Sequence, residues 1–182
     1  VARGGTGGAG FYLTSAVTSG TFTNISASGT IQYAVRVAGA TNAIFNNLTM
    51  ATTASHGFSF ASASPNIRIN GLTASVTGAY SAIYNDNGAN MTINCSGGSI
   101  TGSNATTTYG VYSNQTNTTV KNCNISNFQH GAYITGSTAR IENVNASTTA
   151  TSGWGIYTSG ASTNIINITG ISVAYVGIGT QS

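Results

Sequence analysis

The side chains able to do acid–base, metal or thiol chemistry come in pairs: Asp86 and Glu142, His56 and His130, Cys95 and Cys123. Two carboxylates are the minimum for glycosidic acid–base work, and they must flank one cleft. Asp86 and Glu142 occupy different columns of the repeat described below, so no shared cleft is expected. Two isolated acids also fall short of the oxygen cage that Ca²⁺ needs. The imidazoles sit about three coils apart, roughly 14 Å at the spacing of β-strands, too far to hold one ion. The thiols are 28 residues apart, close to one local coil. A disulfide between neighbouring coils and a pair of buried free thiols both fit that spacing. The sequence therefore predicts no enzyme, no catalytic residue, no metal site and no cofactor. One chemical resource remains. Tyr12, Tyr84, Tyr112, Tyr133 and Tyr157 recur at one position of the repeat, and aromatic rings bind sugars by stacking.

The element that positions these residues is a coil. A small residue followed by an apolar–polar–apolar run begins at Gly10, Ala34, Gly57, Ala82, Gly110, Gly131, Gly155 and Gly177, with spacings of 24, 23, 25, 28, 21, 24 and 22 residues. A second run inside each coil reads Phe22-Thr23-Asn24-Ile25, Phe45-Asn46-Asn47-Leu48, Ile69-Asn70-Gly71-Leu72, Ile93-Asn94-Cys95, Val120-Lys121-Asn122-Cys123, Ile141-Glu142-Asn143-Val144 and Ile168-Thr169-Gly170-Ile171. One coil cannot bury its apolar side, whereas stacked coils can. Alternation then predicts an inner ladder of Phe11, Val35, Phe58, Ile83, Val111, Ala132, Ile156 and Ile178, and an outer ladder of the five tyrosines. His56 and His130 share a corner slot with Tyr33, Tyr109 and Trp154. The third position of the second run, Asn24, Asn47, Gly71, Asn122, Asn143 and Gly170, holds residues that accept a left-handed bend. Stacked Asn amides are expected to bond along the axis. Residues 97–108 are expected to form a surface loop. The fold expected is all-β: a single-stranded parallel β-helix of about seven coils of roughly 21–28 residues. Residues 1–9 read as a flexible leader or inter-subunit strand, residues 10–182 as the β-helix domain, and residues 171–182 as a partial last coil.

Charged residues make up 4% of the 182-residue chain, against about 25% in ordinary domains. Its net charge of +3 reflects missing acids, since no two of Arg3, Arg36, Arg68, Lys121 and Arg140 are adjacent. No nucleic-acid partner is expected, and no apolar stretch reaches the roughly 20 residues of a membrane helix. Asn-X-Ser/Thr triplets at Asn24, Asn47, Asn90, Asn94, Asn104, Asn114, Asn117, Asn124, Asn145 and Asn167 are candidate glycosylation sites. Together with the sparse charge they point to an extracellular or cell-surface location. A start at Val1 rather than Met fits an N-terminal signal already removed.

The coil length, the Ile-X-Asn-apolar motif and the Asn/Gly bend column resemble the right-handed parallel β-helix superfamily of pectate lyases, polygalacturonases and phage tailspikes. The resemblance spans nearly the whole chain and implies a right-handed coil. The polygalacturonase Asn-Thr-Asp, Asp-Asp and Gly-His-Gly motifs are missing, with only Gln129-His130-Gly131 near the last. Fold alone does not fix function. Uncovered strands at both ends make a head-to-tail subunit the leading expectation. It is a non-catalytic secreted structural protein whose partners are copies of itself, joined through Phe11, Tyr12, Leu13, Val173, Tyr175, Val176 and Ile178. The alternative is a carbohydrate-binding or carbohydrate-processing β-helix, such as a phage tailspike or adhesin fragment, with glycans as partners.

Overall fold

Alternating inward and outward side chains set up each strand, and left-handed residues break the alternation to turn the chain. In the strand Arg68–Val76, Ile69, Leu72, Ala74 and Val76 are buried while Arg68, Thr73 and Ser75 face solvent. The inward residues Ile69 and Leu72 are three apart, not two. The left-handed Gly71 (φ 74°) between them rotates the chain so that both flanks point inward. Phe45/Leu48, Val120/Cys123 and Ile141/Val144 repeat this around Asn47, Asn122 and Asn143, whose φ values are 56°, 54° and 50°.

A computed structural model describes residues 8–172 and 176–180. In chain order its strands are β1 (Ala9–Thr14), β2 (Gly20–Gly29), β3 (Tyr33–Ala38), β4 (Ala43–Thr52), β5 (Phe58–Ser62), β6 (Arg68–Val76), β7 (Ile83–Asn85), β8 (Thr92–Asn94) and β9 (Ser99–Thr101). They continue as β10 (Tyr109–Ser113), β11 (Thr119–Ser126), β12 (His130–Ile134), β13 (Arg140–Thr148), β14 (Trp154–Thr158), β15 (Asn164–Ile166), β16 (Thr169–Ser172) and β17 (Val176–Thr180). All pair in parallel. One sheet runs β1-β3-β5-β7-β10-β12-β14-β17; the other runs β2-β4-β6-β8-β11-β13-β15, with β9 and β16 extending it past the bend. The chain is a parallel β-solenoid of about seven turns, consistent with a parallel β-helix architecture. No described residue is helical.

The core lies between the two sheets. Val35, Phe58, Ile83, Val111, Ala132 and Ile156 stack in register and are buried. Phe11 and Ile178 lie in the outermost described strands of that sheet, with a described coil on one side; Phe11 is half-buried and Ile178 is 43% exposed. Phe11, Phe22, Phe45 and Phe58 meet with ring centroids 5.2–5.9 Å apart and fill the first coils. The small residue opening each coil has a steric reason: a Cβ at Gly110 would lie 2.2 Å from Ile125 Cγ2. The interior is not wholly apolar. Asn85 is buried, donating to Gly88 O (2.9 Å) and Ser113 Oγ (3.0 Å) and accepting from Gly88 N (2.7 Å); Ser113 in turn bonds Thr118 (2.7 Å).

Two expectations need correction. Residues 97–108 are not all loop: β9 pairs with β6 and β11 and buries Ile100. The coil takes two extra residues between Ile93 and Ile100 and accommodates them at left-handed Ser96 and Gly97 (φ 52° and 85°). In the last coil, Ile165 rather than Ile168 pairs with Ile141, and the left-handed residue is Asn167 (φ 47°), not Gly170, which lies in β16. The motif there is Ile165-Ile166-Asn167-Ile168, three residues earlier than expected. This register lets Asn167 Nδ2 donate to Asn143 Oδ1 at 2.7 Å, and it leaves Ile166 outward and 38% exposed.

Candidate functional site: the outer columns and the open edges

Chemistry on this fold has to live on the outer columns, because the inner ones are packed. On the eight-stranded sheet Tyr84, Tyr112, Tyr133 and Tyr157 form a continuous stack, with centroids 4.8, 6.2 and 4.5 Å apart and planes within 16° of parallel. His56 extends it, 4.7 Å from Tyr84. Tyr12 does not join, because Arg36 and Ser59 occupy the two intervening coils. A second column beside it holds Tyr109 and His130, stacked at 5.0 Å, and Trp154, 5.0 Å from Tyr157. Tyr84, Tyr112 and Tyr133 each have a stacked ring on both sides, and Tyr157 ends the run. A sugar seeking a ring face within the run would have to displace a tyrosine. Burial raises Tyr84, Tyr109 and Tyr133 above the usual phenol pKa, and the neighbouring tyrosines add to the effect. These three phenols are therefore un-ionised at neutral pH.

The two histidines have the same job in different coils. His56 Nδ1 accepts the Ser81 N–H at 3.0 Å, and His130 Nδ1 accepts the Trp154 N–H at 3.3 Å. Only a neutral ring accepts at that nitrogen. Burial lowers both pKa values, with Asp86 opposing the shift at His56.

The acids stay apart. Asp86 follows β7 on one sheet, whereas Glu142 lies in β13 on the other. Glu142 takes Arg140 at 2.9 and 3.0 Å and lies beside Lys121 in register. Arg36 sits 4.7 Å over the Tyr33 ring. Among the described residues, no three of His, Cys, Asp and Glu come together in a way that could hold a metal ion. No helix among them is long and apolar enough to cross a membrane.

Cys95 and Cys123 form a disulfide, deciding between the two readings of their spacing; their Cα atoms are 4.9 Å apart and both residues are buried. It joins the coil with the two-residue detour to the next one.

Asn amides run along the solenoid in two ladders, one more than the sequence reading found, and in a separate pair in which Asn70 donates to Asn46 at 3.0 Å. The first follows the bend column. Asn47 donates to Asn24 (3.1 Å), Asn122 to Asn94 (2.9 Å), Asn143 to Asn122 (3.0 Å) and Asn167 to Asn143. The second stands before the nine-stranded sheet. Asn66 donates to Asn42 (2.8 Å), Asn90 to Asn66 (3.0 Å) and Asn117 to Asn90 (2.7 Å), and Thr138 caps it by donating to Asn117. All five are left-handed. The signal was present: each precedes an inward residue (Phe45, Ile69, Ile93, Val120, Ile141) by three.

Comparison with protein-family models, with curated proteins and with solved structures returned no match.

The ladders also bear on the ten triplets. A left-handed Asn, an inward residue and an outward hydroxyl residue together spell Asn-X-Ser/Thr, so the coil grammar writes such triplets by itself. Asn47, Asn90, Asn117 and Asn167 use their Nδ2 as ladder donors, while Asn24 and Asn94 accept through Oδ1. Asn104 accepts from Thr149, and Asn114 from Gln115. Asn124 and Asn145 are exposed, adjacent in register and outside both ladders.

The residues expected at a subunit joint divide. Tyr12 is 55% exposed and Leu13 is buried. Val176 pairs with Trp154 in β17, and Ile178 is exposed. Val173, Tyr175 and most of the expected leader lie outside the described residues.

Proposed function

We propose that this chain is a non-catalytic structural subunit, secreted or held at the cell surface, that stacks head to tail into an extracellular filament. The observation that carries the reading is the match between the two outermost edges of the described stack. At one, β1 and β2 present strand edges beside half-buried Phe11, Phe22, Val17 and Ile25. At the other, β15, β16 and β17 present parallel edges beside exposed Ile166 and Ile178. The internal joints between described coils are parallel strand pairings of this kind, in register apart from one shift between Val37 and Ala38. A copy docked end-on repeats the same interaction, and such a heterologous contact propagates without closing. The coil resemblance makes a right-handed hand part of the proposal. Removing residues 171–182 is expected to abolish assembly, read by light scattering, while the β-sheet circular dichroism signal largely persists. Assembly undiminished by that deletion would overturn the end-to-end joint.

A further inference from the structure

Five phenols on the eight-stranded sheet touch one another: Tyr84, Tyr112, Tyr133 and Tyr157 in the stack, and Tyr109 beside it. Among the described residues, Tyr80 meets His56 and Tyr33 meets Arg36, but neither they nor Tyr12 meets another tyrosine ring. The stack is not evenly spaced. Tyr133 and Tyr157 have centroids 4.5 Å apart and planes 16° from parallel; Tyr84 and Tyr112 are 4.8 Å and 15°. Between these pairs, Tyr112 and Tyr133 are 6.2 Å apart. Each close pair is in register across adjacent coils, so equivalent ring atoms lie side by side. The hydroxyls of Tyr133 and Tyr157 are also hydrogen-bonded, which brings together the ring carbons next to the two oxygens. All four stacked rings are partly exposed.

We propose that this strip is a site of oxidative tyrosine coupling, at which hydrogen peroxide and a peroxidase join Tyr133 to Tyr157 through a carbon–carbon bond. Each phenol O–H gives up one hydrogen atom, leaving a radical with unpaired electron density on the ring carbons ortho to oxygen. The two radicals, on adjacent coils, pair their electrons in a new bond between ortho carbons. The hydrogen on each of those carbons then moves to its oxygen and restores both phenols. The two hydrogen atoms removed reduce one hydrogen peroxide to two waters, so the chain loses two electrons and the peroxide gains them. Tyr84 and Tyr112 are the second site, between coils that Cys95–Cys123 already ties together. Tyr109 is a poorer partner, tilted by 50° and 56° from Tyr112 and Tyr133. No disulfide joins the coils of Tyr133 and Tyr157. Coupling there closes a loop between residues 24 apart and restrains the unfolded chain as a disulfide does. The inference does not depend on filament formation.

The test treats the dilute full chain with a haem peroxidase and one equivalent of hydrogen peroxide. Mass spectrometry should find a monomer lighter by two hydrogen atoms, with the blue fluorescence of coupled tyrosine. Proteolytic mapping should find the peptides of Tyr133 and Tyr157 joined in most of that product, and those of Tyr84 and Tyr112 in most of the rest. Tyr133→Phe keeps a ring in the stack but has no O–H to oxidise. Its fluorescence yield should fall by more than half, with the remainder mapping to Tyr84 and Tyr112. In the urea-unfolded chain the preference for these pairs should disappear. Four results would overturn the proposal: no coupling, coupling only between molecules, joining of Tyr12, Tyr33 or Tyr80 as often as the strip, or an undiminished yield from Tyr133→Phe. A preference that survives unfolding would equally show that the stack does not direct the reaction.

Discussion

Asn143 shows what one residue does for a coil. It holds a left-handed backbone at φ 50°, donates to Asn122 and accepts from Asn167. The left-handed conformation costs most L-residues about 1–2 kcal/mol, and a hydrogen bond contributes about 1 kcal/mol. Asn143→Ala should therefore lower stability by about 3–4 kcal/mol. Asn143→Gly should recover the backbone part and stay about 2 kcal/mol less stable than the parent. Urea unfolding of the pair separates the two contributions, and equal losses would show that the bend itself costs nothing. His56 and His130 set the pH response. Their folded pKa values lie below the ordinary 6.5, so the unfolded chain binds protons first as pH falls. The stability they contribute is complete above pH 6.5 and is lost as pH falls through the lowered folded values. Melting temperature should drop over that interval, and less steeply in His130→Gln, which keeps a side-chain carbonyl to accept the Trp154 N–H without titrating.

Among elements, the strand β11 and its neighbours carry the clearest energetic statement. The Cys95–Cys123 bridge closes a 28-residue loop, which in the chain-entropy picture stabilises by about 3.6 kcal/mol. The double Cys→Ala variant should lose about that much in denaturant unfolding; a loss near zero would mean that stacking already restrains these coils. This is also the scale at which the sequence was legible or not. The columns through Phe58, Ile83 and Val111 could be read because the same kind of residue returns every coil. Strand β9 could not: its only apolar residue, Ile100, sits among Gly, Ser and Thr that spell a loop. The last coil misled because Ile165-X-X-Ile168 and Ile168-X-X-Ile171 have the same pattern, and only the amide bond to Asn143 chooses between them. The second ladder was hidden because Thr138 and Ser162 replace Asn in its later coils while keeping the left-handed backbone. The buried Asn85–Ser113–Thr118 group sits at inward positions where apolar residues were expected, and its polar atoms bond one another and the Gly88 backbone.

At the scale of the molecule, a chain with 4% charged residues holds its coils together by strand pairing, an apolar interior and polar ladders parallel to the axis. Each device acts between one coil and the next, and none depends on a distant part of the chain. Stability of this kind is additive along the axis, so a neighbour docked end-on adds to it as another coil would. That is the physical content of the filament proposal, and it fixes a length. About seven turns at about 4.8 Å per strand give this 182-residue chain an axial repeat of roughly 34 Å. Electron microscopy of the purified native chain is the direct test. The account predicts filaments one solenoid wide with that repeat. Uniform monomers at high concentration, or closed trimers of fixed mass, would contradict it.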